Sequence, residues 1–297
     1  TLMRSSAASD VYKRQFQSMI TEKGNASGSA FKFPNTVYNA AGGYLSICSG
    51  IKGYNVTVTN GAQSGLASMA YAMSVLRSGQ ENAMLATGSD ENSDIMTELF
   101  GKLGVTSESV VTPFEGNDGF VLSDGSASVL IEDEKAARER GARIYCHAAG
   151  YGMAHSNVKF GTLTGSEAGL TNAVNNALAD AGMTIDDIDA VFGFANGMKA
   201  VDDVEIKGLT AVFGDKLAEK PVVELKEVLG ESRAAAATTA AAHAALMFAG
   251  KIPSQEAYSI AADGSVSKTN VEASKLNNVL VAAYGAGGSY TAIVLSK

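Results

Sequence analysis

The sequence from Asn55 reads Asn55-Val-Thr-Val-Thr-Asn-Gly-Ala-Gln-Ser-Gly-Leu-Ala and runs on to Gly79. Val and Thr alternate at positions 56–59, which predicts a short strand, and the Asn-Gly pair at 60–61 predicts a sharp turn. Apolar side chains then recur at helical spacing up to Gly79. These helix positions are Leu66, Met69, Ala70, Met73 and Leu76. The stretch therefore predicts a strand, a tight elbow and a buried helix.

The elbow places Ala62 or Gln63 at the N-terminus of the predicted helix. Several acyl-transfer enzymes present a nucleophile in this geometry, because the helix N-terminus stabilises an anion. Here the elbow carries no Cys and no obvious base. Two interpretations stay open: an elbow that has lost its nucleophile, and an ordinary tight turn with no chemical role.

Composition bounds the kind of protein. The 297 residues are 46% hydrophobic, so the chain can bury a large core as one domain or two fused halves. A net charge of -8 argues against nucleic acid or an anionic membrane as the main partner, and no apolar run approaches the roughly 18 residues of a membrane span. The two cysteines, Cys48 and Cys146, indicate a reduced, cytoplasmic protein. Neither metal-ligand spacing nor a nucleotide fingerprint occurs, so no metal or cofactor is expected.

Strands and helices alternate along the chain in two similar series, residues 16–132 and 143–297. Residues 1–15 show no periodicity that links them to the rest of the chain, and we interpret them as a non-native or scar segment. Residues 16–33 are polar and rich in Gly and Ser, which predicts a loop. Elsewhere many elements are apolar on all sides, which predicts α/β layers with sheets covered on both faces. Helices are predicted at 39–51, 96–103, 134–140, 167–181, 203–213 and 232–249, and strands at 83–87, 127–132, 143–150, 190–194, 222–225, 279–283 and 290–295.

Several segments together resemble the β-ketoacyl-acyl-carrier-protein synthases of the thiolase fold. Residues 34–65 fit the family's pre-nucleophile segment without a gap. Thr112-Pro-Phe-Glu and Asp118-Gly-Phe-Val-Leu-Ser-Asp-Gly resemble the family's Gly- and acid-rich loop. Gly285-Ala-Gly-Gly-Ser resembles its C-terminal loop, which gates the acyl pocket. The resemblance implies a layered α-β-α-β-α fold with two similar halves. It does not include the family's usual N-terminal portion, so we expect this chain to be a fragment.

The departures from the family concern its chemistry. The family attacks an acyl thioester with a Cys and uses two His to decarboxylate the malonyl unit and stabilise the enolate. The gapless register puts Ala62 at the Cys position, and an alignment with a one-residue deletion puts Asn196 at the first His position. Lys226 matches the family's Lys, and counting on from it puts Glu231 at the second His position. Lys226 is expected either to be buried and paired with Glu231 or Glu227, or to be a solvated surface charge.

This pattern resembles the chain length factor, the inactive subunit that pairs with an active synthase and shapes a shared acyl tunnel. The resemblance implies an obligate dimer through the strand at 56–59, as a heterodimer with an active ketosynthase or as a homodimer. Acyl carrier protein, which is acidic, is expected to dock on the partner's basic surface. Enzyme hypotheses stay open: a condensing acyltransferase, or a malonyl-carrier-protein decarboxylase that uses Gln63, although such relatives keep their histidines. The resemblance places the acyl pocket at Met69, Met73, Gly285, Ala286, Gly287 and Gly288.

Overall fold

The computed structural model describes residues 6–117, 119–159, 163 and 165–297, with side chains from residue 13 onward. Residues 1–5 of the segment interpreted as non-native, and Asp118, lie outside the described residues. The first part of the chain forms α1 (Ser6–Lys23), α2 (Ala40–Ser49), α3 (Ser64–Arg77), β1 (Ala83–Asp90), α4 (Asp94–Lys102), β2 (Gly125–Glu132) and α5 (Glu134–Glu139).

The second part alternates strands and helices before two closing hairpins. Its elements are β3 (His147–His155), α6 (Glu167–Ala181), β4 (Ala190–Phe192), α7 (Lys199–Phe213), β5 (Val222–Val223), α8 (Lys226–Leu229), α9 (Ala234–Phe248), β6 (Ser254–Ile260), β7 (Val266–Glu272), β8 (Asn278–Gly285) and β9 (Ser289–Ser296). In the described part of the chain, no helix is both long enough and apolar enough to cross a membrane.

The larger sheet has seven strands in the order β3-β9-β8-β4-β5-β6-β7. β4 runs parallel to its neighbours β8 and β5, and the other pairs are antiparallel. Alternate residues of β8 enter two different apolar clusters, so both faces of the sheet are buried. Helices α6 and α7 cover one face, whereas α3 and α9 cover the other.

The smaller sheet is the antiparallel pair of β1 and β2, and it also packs against α3 and α9. Ala86 points toward these helices and is buried, whereas Leu85 and its cross-strand partner Leu130 are 43% and 53% exposed. The central helix layer therefore lies between two sheets. The predicted alternation of α and β layers is confirmed.

Two predictions in the N-terminal part are wrong. Residues 16–23, predicted as a loop, belong to α1, because Gln, Met, Glu and Lys favour a helix and no Gly interrupts them before Gly24. Phe16 also packs on Phe33, with ring centroids 5.7 Å apart. Residues 56–59 form no strand, and Val56 is 51% exposed. Alternation alone does not make a strand, and these residues pair with no strand among the described residues.

The hairpin of β6 and β7 was not predicted at all. Its strands pair from Ser254 with Glu272 to Ile260 with Val266, around a turn that contains Asp263-Gly264. An Asp-Gly pair between two strand-like runs is a strong hairpin signal, so the sequence did contain the information. The strand predicted at 143–150 also lies further along the chain, at His147–His155.

Candidate functional site

The loops expected to form the site lie at one edge of the larger sheet. Because β4, β5 and β8 are parallel neighbours, their carboxyl ends meet at the same edge. Asn196 follows β4, Lys226 follows β5, and the loop Gly285–Gly288 begins at the end of β8. The structure thus brings these three predicted segments to one edge.

The elbow before α3 has the predicted turn. Gly61 adopts a φ of 68°, and Ser64 accepts a hydrogen bond from the Asn60 backbone N–H (2.7 Å) and donates one to the Gly61 carbonyl (2.6 Å). A Cβ on Gly285 would lie 2.6 Å from the Asn60 carbonyl oxygen. The elbow therefore touches the start of the Gly-rich loop, and a side chain at Gly285 would separate them.

Ala62 and Gln63 occupy different environments at the elbow. Gln63 is fully buried, and its Oε1 accepts a hydrogen bond from the Thr291 hydroxyl on β9. Its Nε2 has no hydrogen-bond partner among the described residues. Ala62 is only partly buried. The more accessible of the two elbow residues is therefore Ala62, whose methyl group carries no heteroatom.

Asn196, Lys226 and Glu231 form one buried cluster. Glu231 Oε2 accepts hydrogen bonds from Lys226 Nζ (2.7 Å) and Asn196 Nδ2 (3.0 Å). The Arg233 backbone N–H donates to Glu231 Oε1 (2.8 Å). Burial raises the pKa of Glu231, but the charge of Lys226 and these hydrogen bonds outweigh burial and hold the pKa below its usual value. The cluster is therefore a fixed ion pair.

The alternatives for Lys226 are resolved by the same contacts. Its side chain is 12% exposed and pairs with Glu231, whose side chain is 6% exposed. Glu227, the other predicted partner, instead lies 2.6 Å from Lys268 and accepts a hydrogen bond from the Tyr258 hydroxyl. Lys226 Nζ also donates to the Phe194 carbonyl (3.0 Å), which ties it to the segment that carries Asn196.

Asp202, in the first turn of α7, forms hydrogen bonds to two loops. It was not among the residues predicted from the sequence. Its carboxylate accepts hydrogen bonds from the backbone N–H groups of Phe114 (2.7 Å), Asn196 (2.9 Å) and Gly197 (3.2 Å). Burial raises the pKa of Asp202, and these hydrogen bonds oppose that shift. The Thr112–Glu115 segment is thereby joined to the loop after β4. An acidic residue in the first turn of a helix was the available sequence signal.

Arg233 was also missed. It donates to Asp90 at the end of β1 and to the Glu91 carbonyl (2.8 Å). Its φ of 49° lies in the left-handed region, which is unfavourable for a residue other than Gly. Because its backbone N–H contacts Glu231, Arg233 joins the smaller sheet to the cluster.

The predicted pocket residues separate into a surface turn and a packed core. Gly288 donates to the Gly285 carbonyl (3.1 Å), and Ala286 and Gly287 are exposed at the tip of this turn between β8 and β9. Met69 and Met73 are each 3% exposed and lie in the core between α3, α9 and the larger sheet. Across the described ranges, no His, Cys, Asp and Glu side chains form a group of three suited to a metal ion.

Two family models together match most of this chain. The model of the beta-ketoacyl synthase N-terminal domain matches residues 4–137, and that of the C-terminal domain matches residues 145–258. A 3-oxoacyl-[acyl-carrier-protein] synthase 2 of Vibrio harveyi is 29% identical over 214 residues, which cover 69% of this chain and 52% of that protein. The chain spans about half the length of such curated relatives.

Solved structures share the thiolase-like fold. One is a type II polyketide synthase acyl-carrier protein in complex with its ketosynthase bound to the hexaketide, with a TM-score of 0.85, 19% identity, and coverage of 98% of this chain and 76% of that chain. Another is the ishigamide ketosynthase/chain length factor, with a TM-score of 0.83, 22% identity, and coverage of 96% and 72%. Likeness at these identities establishes the fold, and the prediction of a thiolase-like layered structure is confirmed.

Proposed function

Because this chain belongs to the β-ketoacyl-acyl-carrier-protein synthase family of fatty acid and polyketide biosynthesis, we propose that it is a catalytically degenerate, chain-length-factor-like subunit. In this proposal it acts in the cytoplasm, pairs with an active ketosynthase and shapes the acyl tunnel that the two subunits share. Ala62, Asn196 and Glu231 stand at the positions where the family register has its Cys and two His.

The observation that carries the proposal is the ionised Glu231 in place of a hydrogen-bond donor. Condensation develops negative charge on a thioester oxygen and an enolate, and a catalytic site must stabilise that charge. A carboxylate has no hydrogen atom to donate to that developing negative charge. Lys226 is already paired with Glu231, so the local charge is cancelled, and no net positive charge is left for an oxyanion.

The elbow supports the same proposal. A condensing enzyme needs a nucleophile that its surroundings activate. Ala62 has none, and neighbouring Gln63 is buried and bonded to Thr291. The N-terminus of α3 directly follows the elbow, and this supports a subunit that keeps the family's scaffold without its reactive groups.

One observation favours malonyl-carrier-protein decarboxylation as a second candidate function. Gln63 Nε2 is buried and has no hydrogen-bond partner among the described residues. An amide N–H of this kind can stabilise the enolate oxygen that forms when a malonyl thioester loses carbon dioxide. In this arrangement the Thr291 hydroxyl would orient the amide through its oxygen.

The dimer proposal rests on the segment at 51–59. It belongs to no helix or strand, it is bonded to no strand among the described residues, and Ile51, Tyr54 and Val56 are 44–51% exposed. An exposed segment with strand-like alternation and no partner strand is a site at which another chain can add a strand. We propose that a ketosynthase pairs here, as a heterodimer, with a homodimer as the alternative. This chain has a net charge of -8 and should therefore repel the acidic acyl carrier protein, so we propose that the carrier protein docks on the partner's surface.

The test is to purify this chain together with the ketosynthase encoded beside it and to supply acyl- and malonyl-carrier protein. We expect a complex of the two chains in light scattering, and a product-length distribution that differs from that of the ketosynthase alone. A soluble monomer that neither binds the ketosynthase nor changes its products would contradict the proposal.

A further inference from the structure

Two buried carboxyl groups lie beneath the loop that carries Asn196. Glu205 on α7 is 1% exposed, and Glu224, which follows β5, is 4% exposed. A Cβ on Gly193 would collide with Oε1 of both side chains, so the two carboxyl groups meet at a position that only Gly can occupy. The Oε1 atoms of the two carboxyl groups therefore face the same point beside Gly193.

With both groups ionised, their hydrogen bonding would be incomplete. Glu205 Oε2 accepts from the Phe194 backbone N–H (2.8 Å). Glu205 Oε1 and both Glu224 oxygens find no donor among the described residues. Lys226 donates to the Phe194 carbonyl and to Glu231 instead. Burying two unpaired carboxylates is far costlier than burying a carboxylic acid bonded to a carboxylate.

We infer that Glu205 and Glu224 share one proton at neutral pH, held on Glu224, and that this pair positions the loop that presents Asn196. The Glu224 hydroxyl donates to Glu205 Oε1, and Glu205 Oε2 accepts from the Phe194 N–H. The Phe194 carbonyl in turn accepts from Lys226, which holds Glu231. The proton thus stands at one end of a continuous hydrogen-bonded chain that ends at Asn196 Nδ2.

The surrounding charges favour the protonated state. Burial is the largest cause that raises the pKa of Glu224, followed by the negative charge of Glu205. Asp202 on α7 raises it further, and Lys226 opposes the shift. Tyr258 on β6 also faces Glu224, but burial and Glu227 raise its pKa, so it stays neutral.

The proton gives the pair a defined pH dependence. A carboxyl whose pKa is raised on folding binds its proton more tightly in the folded state. Its contribution to stability is complete below the ordinary Glu value of 4.5 and is lost as pH rises through the folded pKa. Between the ordinary pKa of Glu and the raised pKa in the folded state, the difference of one bound proton changes the folding equilibrium constant by up to about tenfold per pH unit. The loss of the proton leaves two adjacent buried carboxylates, which repel each other beneath the loop.

The test compares Glu224→Gln with Glu256→Gln, the same substitution at an exposed carboxylate on β6. Infrared difference spectroscopy detects a protonated carboxyl group directly. At pH 7 the wild type and Glu256→Gln should show its carbonyl band, and Glu224→Gln should lack it. The amide NMR signals of Asn196 should shift in the wild type as Glu224 titrates at higher pH, and should stay constant in Glu224→Gln.

If Glu224→Gln fails to fold, the wild type alone decides: its carbonyl band should disappear as the pH is raised, together with the shift of the Asn196 signals. The absence of the band from the wild type at pH 7, or its persistence in a folded Glu224→Gln variant, would overturn the inference. A titration of Glu224 that leaves Asn196 unaffected would overturn the positioning role. These readouts require no acyl substrate, so their outcome is separate from that of the proposed function.

Discussion

Lys226 Nζ lies 2.7 Å from Glu231 Oε2, with side chains that are 12% and 6% exposed. Glu231 also accepts hydrogen bonds from Asn196 and from the Arg233 backbone. The two residues that the sequence resemblance aligns with the family's histidines, Asn196 and Glu231, are thus bonded to each other, and Glu231 is bonded to the lysine. These contacts give Glu231 a counter-ion and two further hydrogen-bond donors in a buried position.

Removing the buried cation of Lys226 should destabilise the fold more than removing the exposed cation of Lys268. Lys226→Met leaves Glu231 buried without its counter-ion, and we expect a loss of about 3–5 kcal/mol in the free energy of unfolding. Lys268→Met breaks a pair whose side chains are 49% and 20% exposed, and it should cost less than about 1 kcal/mol. Chemical denaturation measures both. Equal losses would show that the Lys226–Glu231 pair is not effectively buried.

A compensating change should rescue the first variant. Lys226→Met combined with Glu231→Gln removes both charges, and the amide keeps a hydrogen-bonding oxygen for the Arg233 N–H. The double variant should therefore be more stable than Lys226→Met alone. If it is less stable, the lone carboxylate was not the source of the loss.

Acid should weaken the fold through Glu231. The pKa of this carboxyl is lowered on folding, so its contribution to stability is present above the ordinary value of 4.5 and is lost as pH falls through the folded pKa. Glu231→Gln should lack this part of the acid-induced loss, whereas exposed Glu256→Gln should retain it. The measurement is the free energy of unfolding over a series of pH values. Identical acid dependence in all three proteins would contradict the assignment.

The contact between the elbow and the Gly-rich loop should be disrupted by one methyl group added at Gly285. Gly285→Ala places a Cβ 2.6 Å from the Asn60 carbonyl oxygen, and forcing the loop off the elbow should cost about 1–3 kcal/mol. Gly43→Ala is the matched control, because no atom lies within 4 Å of a Cβ there and the residue is inside α2. That variant should be neutral, or more stable by up to about 1 kcal/mol. Thermal unfolding compares the two, and similar shifts would argue against a tight contact at the elbow.

Product length should respond to Met73 in the complex with a ketosynthase. Met73→Ala opens space beside the elbow helix and should lengthen the product by at least one extender unit, and Met73→Phe should shorten it. The cavity left by Met73→Ala also costs about 2–5 kcal/mol of stability, so the assay must use folded complex. Met153→Ala, at a residue 43% exposed on β3, is the control. Product lengths are read by mass spectrometry. Unchanged lengths in both Met73 variants would show that α3 does not line the acyl tunnel.

The sequence predicted the elements whose signal is local. The helix at 167–181 has the predicted bounds, because its apolar positions repeat at helical spacing and Gly182 ends it. Residues 56–59 alternate like a strand but form none, because a strand also needs a partner strand, and the tertiary structure determines whether one is present. The contact of Lys226 with Glu231 was one of the alternatives that the sequence left open. The pair of Glu205 and Glu224 was not, because the parallel alignment of β4 and β5 brings them together at Gly193.

The most direct measurement is turnover by the isolated chain. Purified wild type and Ala62→Cys are incubated with acyl- and malonyl-carrier protein, and products are followed by mass spectrometry. We predict no carbon–carbon bond formation by either, because each lost acid–base group removes roughly 10²–10⁴-fold in rate. The introduced thiol should at most be acylated slowly at the N-terminus of α3. Condensed product from the wild-type chain alone would contradict the degenerate-subunit account.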